Sequence, residues 1–141
     1  SNYRIIGFTE SPEVSELAEF ARQKNILFYE DAGSGALLDL SAFGLADEPV
    51  ISRSITAGAD VVTFSGDKLL GAAQAGLIVG RGAVIEILRK HPLYRALRAN
   101  KLIYAALEAT LDAFRREKPL REIPVLQMLS TTREETQKRT E

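Results

Sequence analysis

The sequence predicts an α/β fold, three layers deep (α/β/α), with a mostly parallel sheet between its helices. Two observations carry this. Strand-like and helix-like segments alternate along the chain, which is the order that right-handed βαβ crossovers produce. The strand-like segments are continuously apolar rather than alternating, so both sheet faces are expected to be covered.

Taken in order, YRIIGF at 3–8 suits a short buried strand. Ser11 follows as a candidate N-cap, with Pro12 at the first helical position and Glu13 in the first turn. Val14, Leu17, Ala18 and Ala21 recur at helical spacing and predict an amphipathic helix over 12–24. Asn25 reads as the helix stop and ILFY at 26–29 as the next strand. That strand is expected to end in the acidic pair Glu30 and Asp31, before a turn-rich GSG. PVISRSITAGAD then predicts a short helix closed near Gly58. VVTF at 61–64 is a β-branched buried strand, and residues 75–79 are another. Helical periodicity returns over 82–90 and over 100–116, the latter through Ile103, Leu107, Thr110 and Phe114. Pro119 and Pro124 break the pattern, and a polar helix is expected to begin near Ser130.

Composition narrows the function classes. The 141 residues suffice for one domain with a core, with 45% apolar and 26% charged residues. A net charge of −1 carries no global basic footprint, so composition makes no case for DNA or other nucleic acid. The absence of cysteine excludes disulfides, thiolate metal sites and cysteine nucleophiles. The single histidine, His91, excludes a metal site built on two and reads as a helix-end residue. No metal site is expected. No apolar run approaches the roughly 18 residues of a membrane span, and the expected compartment is the cytoplasm. The abrupt start in a strand pattern and the polar TTREETQKRTE end read as a piece of something longer.

The chemistry concentrates at TFSGDKLLG, residues 63–71. In parallel sheets the ligand crevice lies beyond the carboxyl ends of the strands. Asp31 is expected just past one such end and Lys68 four residues past another, so two charges converge on one rim. A poorly hydrated lysine amine can condense with an aldehyde cofactor, of which pyridoxal phosphate is the common one. Such a cofactor needs a carboxylate at its ring nitrogen, here Asp31. Its phosphate wants small residues, hydroxyls and free backbone N–H groups, the part offered by Ser65 and Gly66. By themselves these residues also fit a solvated turn lysine and an ordinary D-x-G turn. The GDK run lacks the glycine spacing of a P-loop.

The segments SNYRIIGFT, EDAGSGALLDLS, GLADEP, AGADVVTFSGDKLLGAAQAGLIVGR and HPLYRALRANKL together resemble the bacterial selenocysteine synthase family, the L-seryl-tRNA(Sec) selenium transferases. The resemblance runs from residue 1 to about 128. It implies a type I pyridoxal-phosphate fold, of which residues 1–116 would be the incomplete core of the large domain. Residues 117–141 would be the linker and the start of a small C-terminal domain. It implies that Lys68 carries pyridoxal 5'-phosphate and that Asp31 faces the pyridine nitrogen. Arg95 and Arg98, three apart and on one face if helical, would hold the anionic donor selenophosphate. The implied reaction converts seryl-tRNA(Sec) to selenocysteinyl-tRNA(Sec), with Lys68 also the base at Cα and Asp67 a candidate acid for the leaving hydroxyl. The family is a homo-oligomer, about three times this length. Two positions depart from its pattern: GAAQAG at 71–76 replaces GGPQAG, and Asn100 replaces an aspartate. Two rival readings remain, a related lyase acting on a small amino acid or amino sugar, and a truncated domain without catalysis.

Overall fold

A computed structural model describes residues 7, 8 and 10–140. The strand expected over 3–8 falls largely outside them. Helix α1 spans Val14–Lys24 and buries Ala18 and Ala21. It begins two residues later than Ser11 and Pro12 predict, because Glu13 is the N-cap and its N–H donates to Glu16 Oε2 at 3.4 Å. Asn25 stops it as expected, in the left-handed conformation at φ 54°, with its N–H turned back onto the Ala21 and Arg22 carbonyls.

Strand β1 spans Tyr29–Gly33, helix α2 Ile51–Ala57, strand β2 Val61–Ser65 and strand β3 Gly76–Gly80. A single 3₁₀ turn, Ser41–Phe43, lies between β1 and α2, and Gly58 closes α2. The sheet order is β1-β2-β3. Strands β1 and β2 pair in parallel across the α2 crossover, as predicted. Strand β3 instead runs antiparallel to β2. Only residues 66–75 join that pair, which is too little chain for the dozen or more residues of a parallel crossover.

Strand β1 also lies three residues later than ILFY. Ile26 and Leu27 are exposed, while Phe28 is held outside the strand, its N–H donating to Asp60 Oδ2 at 2.9 Å. Pairing then runs from Tyr29 opposite Val61 to Gly33 opposite Phe64. Asp31 is therefore inside a strand rather than just past its end.

Helix α3 spans Gly82–Lys90, α4 Pro92–Ala96, α5 Lys101–Arg115, α6 Pro119–Glu122, α7 Pro124–Ser130 and α8 Arg133–Thr140. Pro119 and Pro124 thus do more than break helix α5. Each sits at a first helical position, where its missing N–H costs nothing, and starts a short helix. One core cluster joins Ala32, Ile51, Ala59, Val62, Phe64 and Leu70, with Leu107 and Phe114 of α5 packed against it. A second joins Ala36, Leu40, Ala113, Ile123 and Leu126. Val62 and Leu70 are 0% exposed, each burial contributing about 1.5–3 kcal/mol. Among the described residues no helix is long and apolar enough to cross a membrane.

Candidate active site

Residues 30 and 32 face the core side of the sheet with Val62 and Phe64. Tyr29, Asp31, Thr63 and Ser65 share the opposite face. On that face Asp31 Oδ1 accepts from the Gly33 N–H at 3.1 Å and from the Thr63 hydroxyl at 3.3 Å. The Thr63 hydroxyl, its one proton committed to Asp31, accepts from the Tyr29 hydroxyl at 2.9 Å. This leaves Asp31 Oδ2 without a partner among the described residues. Two donors on one oxygen hold the carboxylate's orientation while the second oxygen stays open to a further donor.

Lys68 sits in the turn that follows β2, and that turn is tied on every side. Gly66 donates its N–H to Ala75 O at 2.8 Å and accepts on its carbonyl from Ala72 N–H at 2.8 Å. A Cβ on Gly66 would lie 2.5 Å from the Ala73 carbonyl oxygen, so glycine alone fits. Gly71 N–H donates to Lys68 O at 2.9 Å, and Leu69 N–H donates to Ser34 O at 3.2 Å. The last bond joins the Lys68 turn directly to the end of β1. Leu70, fully buried, anchors the turn in the core. The Lys68 and Asp67 side chains are exposed, and the Lys68 amine has no hydrogen bond or ion pair among the described residues.

The structure places Ser65, Gly66, Asp67 and Lys68 at and just beyond the carboxyl end of β2, and Asp31 inside the neighbouring strand β1, opposite Thr63. It corrects one detail: the Gly66 N–H is already bonded, so it is not a free donor for an anion. It also separates the two arginines. Helix α4 ends at Ala96 with Leu97 as its C-cap, so Arg98 lies in the link to α5 and shares no helix face with Arg95. Both arginines are exposed, and no hydrogen bond or ion pair joins either one to the Lys68 turn. His91 is the helix-end residue expected, its Nδ1 accepting from the Leu93 N–H at 3.2 Å. Asn100 caps α5, accepting from Leu102 N–H and Ile103 N–H at 3.0 Å each.

Sequence reasoning missed two groups. Asp60 clamps the far end of the sheet, bonded to Phe28 N–H and, at 2.8 Å, to Arg81. The Arg81 hydrogen bond, then the Phe28 N–H, hold its carboxyl below the usual carboxylate value. An acid just before a β-branched strand and a base just after the next strand were the available signal. Tyr29 and Thr63, the groups that orient Asp31, carried no signal without the register. No group of three or more metal-binding side chains occurs among the described residues.

The fold is α/β, with a lysine in the turn after β2 and a carboxylate on the neighbouring strand β1. At the level of fold the chain is similar to D-glucosaminate-6-phosphate ammonia-lyase, with a TM-score of 0.59 and 19% identity over 86% of this chain and 31% of that one. The family model for L-seryl-tRNA selenium transferase matches residues 1–141, and the chain belongs to that family. It is 52% identical over 140 residues to the L-seryl-tRNA(Sec) selenium transferase of Hyphomonas neptunium, covering 99% of this chain and 30% of that protein. To its counterpart in Alkaliphilus oremlandii it is 53% identical over 135 residues, covering 95% and 29%. The chain therefore spans about 30% of the length of these curated relatives, and the partial type I fold implied by the sequence is the fold observed.

Proposed function

We propose that this chain is part of an enzyme that converts seryl-tRNA(Sec) to selenocysteinyl-tRNA(Sec), with selenophosphate as donor and pyridoxal phosphate as cofactor. The observation that carries the reading is an unpartnered Lys68 amine in the turn after β2 with an open Asp31 oxygen on the adjacent strand β1, in a member of this family.

The residues present fit the cofactor. Lys68 would hold it covalently, Asp31 Oδ2 would accept from the protonated ring nitrogen, and the Ser65 hydroxyl beside the small Gly66 would meet its phosphate. When bound, pyridoxal phosphate supplies an electron sink for charge developing at the substrate Cα. The Thr63 hydroxyl, itself held by Tyr29, and the Gly33 N–H keep the carboxylate aimed by both donating to its other oxygen. Lys68 Nζ, once free, takes the serine Cα proton, because its tethered turn keeps it within reach. Asp67 donates a proton to the leaving β-hydroxyl. Arg95 and Arg98 bind the donor's phosphate oxygens, for which planar guanidinium forks suit. Arg95 comes from α4 and Arg98 from the link after it, so the anion would be held by two elements rather than by one helix face.

A tRNA substrate sets the compartment as the cytoplasm. The site is completed by the remainder of the polypeptide and by other copies in a homo-oligomer, with residues 1–116 in the cofactor domain and 117–141 leading to a second.

The test is spectroscopic. Pyridoxal phosphate added to the protein should give a yellow absorbance that borohydride makes permanent and mass spectrometry locates at residue 68. Lys68→Ala should abolish it, and Asp31→Ala should shift it. A wild-type protein that stays colourless would refute the cofactor assignment. Arg95→Ala and Arg98→Ala should weaken binding of selenophosphate or thiosulfate while leaving the absorbance intact. Unchanged anion binding in both would refute the donor site.

A further inference from the structure

Between Glu86 and Glu108 the sequence holds Arg89, Lys90, Arg95, Arg98 and Lys101 and no acidic residue, in a chain whose net charge is −1. In the structure this stretch is the end of α3, all of α4, and the start of α5. Arg89 is paired with Glu86 at 3.3 Å. Lys90, Arg95, Arg98 and Lys101 are exposed and without an ion pair among the described residues. Apolar and aromatic side chains stand between them: Leu93 59%, Tyr94 46% and Leu97 80% exposed. Lys101 opens α5, where a cation opposes the helix dipole, so its charge is not there to stabilise the helix.

We infer that this face takes the single-stranded 3′ end of an RNA, Lys90 and Lys101 binding backbone phosphates and Tyr94 stacking on a base. Flexible cations interleaved with an exposed aromatic ring are the physical recipe for single strands, because every base has a face to stack and every nucleotide a charge. A lipid surface is served poorly. It wants one continuous amphipathic helix, whereas this stretch bends at His91 and again over residues 97–100. The inference rests on the reading that the arginine pair holds the selenium donor. The serine on the tRNA must meet that donor, so the 3′ end has to approach the arginines, and Lys90 and Lys101 flank them on either side.

The experiment is fluorescence anisotropy of a labelled short single-stranded RNA ending in CCA, titrated with the protein at several salt concentrations without cofactor or donor. Lys90→Ala and Lys101→Ala should each make the dependence of log affinity on log salt shallower by about 0.7. Tyr94→Ala should weaken binding by about fivefold or more, and all three should keep the wild-type circular dichroism spectrum. Absence of binding at low salt overturns the inference, as do well-folded variants with unchanged affinity and salt dependence. Vesicles of phosphatidylserine that bind while the RNA does not would overturn it in favour of a membrane surface. Cofactor absorbance and thiosulfate affinity, measured on the same variants, should match wild type. A wild-type protein that binds cofactor and thiosulfate but no RNA overturns this inference alone, whereas one that binds neither cofactor nor thiosulfate overturns the catalytic reading.

Discussion

Replacing Gly71 by alanine should destabilise the fold and displace Lys68 together. Gly71 has φ +73°, and a Cβ there would lie 2.3 Å from Ile123 Cγ2 and 2.8 Å from Val125 Cγ1. The left-handed backbone costs an alanine about 1–2 kcal/mol. Forcing Ile123, which is 3% exposed, to yield adds about 1–3 kcal/mol of overpacking. Reduced freedom of the unfolded chain offsets about 0.4–1 kcal/mol. The net loss should be about 1–4.6 kcal/mol, centred near 3. Gly44→Ala is the matched control: Gly44 has φ +80° with nothing within 4 Å of the added carbon, so it should lose only about 1 kcal/mol. Urea unfolding followed by circular dichroism measures both. Because the Gly71 N–H closes the Lys68 turn, the cofactor absorbance should fall in Gly71→Ala and persist in Gly44→Ala. Equal losses in the two variants would refute the steric argument and leave only backbone strain.

Three further expectations concern charge. The Ser41 N–H, then its hydroxyl and Arg53, lower the Asp39 carboxyl from 3.8 to about 2. Its contribution is therefore complete above the unfolded value and lost as pH falls from near 4 towards 2, so Asp39→Asn should be less stable at pH 7 and converge with wild type at the acid end. Asn100→Asp should stabilise α5 by about 0.3–1 kcal/mol through the helix dipole, while weakening thiosulfate binding beside Arg98; unchanged anion affinity would place Arg98 away from the donor. Glu30 Oε2 is buried without a hydrogen-bond partner, so Glu30→Met should raise the urea midpoint by the equivalent of about 1–3 kcal/mol. A lowered midpoint would show that the carboxylate is satisfied.

Much of this architecture was legible because local chemistry and tertiary packing agree. Asn25 and Gly58 stop their helices by adopting the conformation their side chains allow, and the stripe Ile103, Leu107, Thr110, Phe114 marks the inner side of α5. Tertiary contacts decided the rest. The run ILFY has strand propensity, yet the Asp60 carboxylate captures the Phe28 N–H and delays pairing until Tyr29, which carries Asp31 from a loop into the ladder. The direction of β3 depended on the length of chain after Lys68 rather than on its own apolar residues. The candidate site was visible as residue types, an acid and a lysine near strand ends, although Asp31 proves to lie within β1. The Tyr29–Thr63 support beneath it required the register. Arg95 and Arg98 looked like one helical pair because nothing local announces that α4 stops at Ala96.

Strand β2 is the one strand of the described sheet with a neighbour on each flank. Its backbone amides should exchange with solvent last, after both outer strands have frayed. The Lys68 turn is thus moored to the slowest-opening strand of the described sheet, so the outer strands can breathe without loosening the segment that carries this lysine.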